Sequence, residues 1–102
     1  MLKSGLILLA ALFSLAGGPA RATGVDYSVL TAVAELVADA EYGAAEARLT
    51  EAYLAAAAAP YEDRAAYLEE LMAVQLADGR PEAAAFTLTV QTRLLAETAG
   101  PD

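Results

Sequence analysis

The sequence predicts an all-α protein of four helices arranged as two tandem helix-turn-helix hairpins. Three observations carry this. Apolar residues recur at intervals of three and four along most of the chain. No useful stretch alternates with period two: Thr87-Leu88-Thr89-Val90 comes nearest to a strand, but it sits among good helix formers with no second strand to pair with. The periodic segments are divided by punctuation at Gly43, at Pro60 and at Asp78-Gly79-Arg80-Pro81.

Residues 1–22 read as a signal peptide that precedes the fold. Lys3 stands ahead of an apolar run from Leu6 to Ala16, Gly17, Gly18 and Pro19 break it, and Ala20-Arg21-Ala22 offers a small-x-small cleavage site. The run is shorter than the roughly 20 residues that a membrane-spanning helix needs. The expectation is cleavage after Ala22, no stable membrane insertion afterwards, and a periplasmic or secreted protein. With no Cys in the chain, a lipid-anchored form is not expected. A single small all-helical domain, residues 23–102, would remain.

The first helix is expected over Asp26–Ala40, where Val29, Val33, Leu36, Val37 and Ala40 form an apolar stripe with Leu30 beside it. Asp26 or Thr23 suits its N-cap. The second is expected over Ala44–Ala58, with Ala45, Leu49, Ala52, Tyr53 and Ala56 on one side and the alanine run Ala55–Ala59 as its tail. The third, Pro60–Ala77, starts with a proline where a missing N–H does no harm. Glu62 and Asp63 follow at the positive end of the helix dipole, and Ala65, Leu68, Leu71, Met72 and Leu76 face inward. Gly79 fits a left-handed helix terminus. Pro81 with Glu82 opens the fourth helix, to Glu97, before a frayed tail from Ala99 to Asp102.

The two halves repeat. A shift of 39 residues sets Ala38-Asp39 over Ala77-Asp78, Ala45 over Ala84 and Leu49 over Leu88. Leu71, Gly79, Ala84 and Leu88 in the second half, and Glu41-Tyr42, Ala45, Leu49 and Ala52 in the first, resemble the tetratricopeptide repeat. Small residues in these places let two helices of a hairpin touch. The chain departs from that pattern at Met72 and Gln91, where small residues are expected. Its 39-residue spacing also exceeds the 34-residue unit, placing about five extra residues near Pro60.

Composition excludes most chemistry. Cys and His are absent, so no Cys–His pair, Ser–His–Asp triad or Cys/His zinc site can be built. No glycine-rich loop could cradle a phosphate, and no alternating acidic loop could hold calcium. The pairs Glu62-Asp63 and Glu69-Glu70 diverge by about 100° around a helix, which is poor geometry for acid–base work. No catalytic, cofactor-binding or metal-binding residues are therefore assigned, and an enzyme is not expected. Residues 23–102 hold four arginines against 14 acids, a formal charge of −10 that disfavours nucleic acid and anionic lipid. The same charge would keep a small exported protein soluble.

Apolar surface is the more informative remainder. On the fourth helix, Ala84, Leu88 and Leu95 lie on one side, and Phe86, Val90 and Leu94 are centred more than 100° away. Either the helix is central and both sets are core, or Phe86, Val90 and Leu94 meet another chain. The repeat resemblance implies a second surface, a peptide groove lined by the first helix of each unit: Tyr27, Leu30 and Val37, then Glu69 and Leu76. The five tyrosines lie near segment ends, rings packed and hydroxyls wet. The expected function is an exported, non-enzymatic protein–protein interaction module with a protein partner or a second copy of itself. It would serve as a small accessory subunit or adaptor in a bacterial envelope. The alternatives are a partner-free structural or stress-related exported protein, and an acidic inhibitor or immunity-type protein of a basic enzyme.

Overall fold

The computed structural model describes residues 24–99; the predicted signal peptide and its cleavage site lie outside them, as do residues 100–102 of the predicted tail. Four helices and no strand make up the described residues: α1 (Tyr27–Ala38), α2 (Tyr42–Ala55), α3 (Tyr61–Ala77) and α4 (Pro81–Ala99). Each packs chiefly against its neighbour in sequence, so the chain is two helical hairpins in series.

Asp26 is the N-cap of α1. Its carboxylate accepts from the Ser28 backbone N–H at 3.0 Å and from the Ser28 hydroxyl at 2.6 Å. These bonds, the hydroxyl's above all, hold its carboxyl below the usual range. Both hairpin turns then close in the same way. In the first, Ala40 takes φ 59°, its N–H reaches Val37 O at 2.9 Å, and the Glu41 N–H reaches Leu36 O at 2.8 Å. In the second, Gly79 takes φ 75°, its N–H reaches Leu76 O at 3.0 Å, and the Arg80 N–H reaches Gln75 O at 2.9 Å. Each is a Schellman closure, and the two lie at positions 39 apart, where the sequence repeats.

The first break is therefore made by Ala40 and not by Gly43, which is the second residue of α2. Two backbone hydrogen bonds offset the roughly 1–2 kcal/mol that a left-handed alanine costs. The second helix ends at Ala55, earlier than its alanine content suggests. Pro60 bars helical geometry at the residue before it, and the Ala56 N–H is shared between Ala52 O and Tyr53 O, both at 3.1 Å. Pro60 is extended (ψ 158°) and caps α3, its carbonyl accepting from Asp63 and Arg64 N–H.

Burial identifies α3, packed on both α2 and α4, as the central helix. Asp63 and most residues from Ala65 to Gln75 are buried on it. Val29, Leu30, Val33 and Val37 of α1, Ala45 and Leu49 of α2, and Leu94 of α4 complete the core. Three inward assignments are corrected here: Leu76, Leu88 and Leu95 are exposed, the last two by 53% and 48%. Among the described residues α4 is covered along one stripe, that of Ala84, Thr87, Gln91 and Leu94. That stripe is half polar, while apolar side chains face outward. Ala40, assigned to the α1 stripe, is exposed because it belongs to the turn.

Candidate functional site

Three features of the surface bear on function. The first is a polar interlock at the turn between α3 and α4. Glu46 of α2 accepts from Arg80 at 2.6 Å and from the Gln75 side chain at 3.0 Å. Gln75 in turn accepts from the Thr87 hydroxyl at 2.8 Å. Arg80 also lies 3.5 Å from Asp78. The Arg80 bond, followed by the Gln75 bond, holds the Glu46 carboxyl below its usual range. No motif in the sequence joins Glu46, Gln75, Arg80 and Thr87; their meeting depends on how α2, α3 and α4 pack.

The second feature is a cleft of about 290 Å³ where the end of α2, the start of α3 and the middle of α4 meet. Tyr53, Arg64, Phe86, Val90, Arg93 and Leu94 line it. The Arg64 guanidinium lies over the Tyr53 ring, 5.2 Å from its centre, and donates to the Tyr53 hydroxyl at 3.4 Å. Its Nε is buried with no hydrogen-bond partner. Sequence reasoning singled out neither arginine, because their meeting depends on how α3 and α4 pack.

The third feature is the outer face of α4. Leu88 and Leu95 lie one helical stripe apart from Phe86, which is 69% exposed. A shallow depression runs from Leu88 past Thr92 to Ala96.

The residues proposed from sequence distribute unevenly over these features. Phe86 and Val90 reach the cleft, whereas Leu94 is its floor and a core residue, 4% exposed. The trio is thus not one open face. The implied peptide groove is not assembled either. Leu30 and Val37 are core, Tyr27 and Leu76 are exposed, and Glu69 accepts from Gln91 across the α3–α4 interface at 3.3 Å. Gln91 also donates to the Tyr61 hydroxyl at 3.4 Å, which accounts for a long polar side chain where the repeat pattern has a small one.

The chain matches no family model, no curated protein and no solved structure.

One buried acid stands apart. Glu70 is 1% exposed and neither carboxyl oxygen has a hydrogen-bond partner. Burial, with a smaller contribution from neighbouring Glu69, pushes its carboxyl up to about 8. A lone buried carboxyl without a second acid or base converging on it supports no catalytic scheme. Among the described residues no group of three or more acids could hold a metal ion, and no helix is long and apolar enough to cross a membrane.

Proposed function

We propose that the chain is an exported, non-enzymatic protein–protein interaction module, a small accessory subunit or adaptor of a bacterial envelope, that contacts its partner through the outer face of α4. One contrast carries this reading. Leu49 and Leu88 are counterparts in the 39-residue repeat, yet Leu49 is fully buried while Leu88 is 53% exposed. The position that is sealed on α2 is bare on α4 among the described residues. In tetratricopeptide-like and other stacked hairpins, such a face is where the next helix docks. The N-terminal 22 residues, read as a signal peptide, support export.

The test uses the purified protein and its double variant Leu88→Ser/Leu95→Ser. Intact mass of the exported form is expected to begin at Thr23. Light scattering on a sizing column and affinity capture from solubilised envelope are expected to show a stoichiometric partner, or a second copy, that the double variant loses. A cooperatively folded monomer, with no partner in either form, would sink the interaction reading.

A further inference from the structure

The cleft between α2, α3 and α4 has a composition at odds with the rest of the molecule. The chain carries 14 acids and only six basic residues. Yet two arginines, Arg64 and Arg93, line this one cleft, with Glu97 the single acid beside them. Neither arginine forms an ion pair among the described residues; the ion pairs there belong to Arg48 and Arg80. Arg64 is already fixed by its stack on Tyr53 and keeps a buried Nε–H unpartnered. The remaining walls are Phe86, Val90 and the buried Leu94, together with Thr89, whose hydroxyl donates to Ala85 O at 3.1 Å.

We propose that this cleft binds a small monocarboxylate with an apolar body. Its carboxylate would bridge Arg64 and Arg93, and its hydrocarbon part would lie on Phe86, Val90 and Leu94. A fork of guanidinium donors suits a planar carboxylate. A single negative charge suits an acidic protein better than a phosphate dianion, which the surrounding acids and Glu97 would repel. A cation is disfavoured by two arginines against one acid, and the Tyr53 ring already faces Arg64. At about 290 Å³ the cleft is at the small end of ligand pockets, which limits the occupant to a medium-chain acid or the last residue of a peptide. The cleft shares Thr89 and Arg93 with the depression on the outer face of α4, but neither Leu88 nor Leu95 lines it.

Titration calorimetry of the purified protein with octanoate, octyltrimethylammonium and acetate tests this. Octanoate is expected to bind, octyltrimethylammonium to give no saturable heat, and acetate to bind at least about tenfold more weakly for want of apolar contact. Arg93→Gln, at an exposed position that leaves the fold intact, is expected to weaken octanoate at least about tenfold, and Leu88→Ser/Leu95→Ser to leave it unchanged. Absence of saturable octanoate binding would overturn the proposal. So would undiminished binding by Arg93→Gln and Arg64→Gln, both checked for native helicity. A leucine-terminated peptide and its C-terminal amide separate the sources. Binding of the free acid form alone assigns the site to a chain terminus; failure of both peptides beside octanoate binding assigns it to a free aliphatic acid.

Discussion

At the scale of single residues, Glu70 is a costly position: a buried carboxyl with no hydrogen-bond partner. Its carboxyl titrates near 8 when folded and near 4.5 when free. Below pH 4.5 both states are protonated and the group is neutral to stability. Between 4.5 and 8 the unfolded chain releases the proton while the folded one retains it, so stability falls as pH rises. Glu70→Gln removes this dependence. It is expected to raise stability at pH 8 by about 2–4 kcal/mol and to change it little at pH 4.5, measured by urea unfolding at the two pH values. The signal was present in the sequence: Glu70 lies four residues from Ala66 and from Val74, on the buried stripe of α3. It was hidden because a charged residue at such a position is ordinarily placed outward. Ala40 is a second case. Ala40→Gly relieves a left-handed alanine whose repeat counterpart is already Gly79, and is expected to stabilise by about 0.5–1 kcal/mol in the same assay.

At the scale of elements, the repeat makes a controlled comparison. Leu49 and Leu88 occupy matching positions on α2 and α4, one sealed and one open. Leu49→Ala is expected to cost about 2–5 kcal/mol. Leu88→Ala is expected to stay within about 0.5 kcal/mol in the isolated chain, with chemical denaturation as the readout for both. Helix existence and the two hairpins were legible because alanine-rich periodic segments agree with the punctuation at Pro60 and Asp78-Gly79-Arg80-Pro81, whereas the first break, made by a left-handed Ala40, was misplaced at Gly43. The inward face of α4 was not. Its covered stripe contains Thr87 and Gln91, whose polar groups are satisfied by Gln75, Glu69 and Tyr61. A pattern that sorts residues by hydrophobicity alone turns that helix the wrong way. The arginine cleft was equally out of reach, since Tyr53, Arg64 and Arg93 are distant in sequence and no short motif joins them.

At the scale of the whole molecule, two opposing titrations set the working range. Glu46, stabilised as a carboxylate by Arg80 and Gln75, contributes stability above the ordinary glutamate pKa of 4.5 that is lost as pH falls through its lowered value. Glu70 acts in the other direction over 4.5 to 8. A net formal charge of −8 adds self-repulsion as the acids ionise. Melting temperature is therefore expected to peak at mildly acidic pH, near 4.5–5, and to decline toward pH 8; a profile flat to pH 8 would contradict the burial of Glu70 as an unpaired acid. The serial packing of the helices has a further consequence for how the chain reaches its native state. Contacts between sequence neighbours need little loop closure, and chains built from them fold quickly. A hairpin of this kind can condense once its own residues have emerged from a ribosome, without waiting for the rest. With no cysteine to oxidise, no slow covalent step follows, so the first hairpin is free to form and shelter its apolar stripe while the second is still being synthesised.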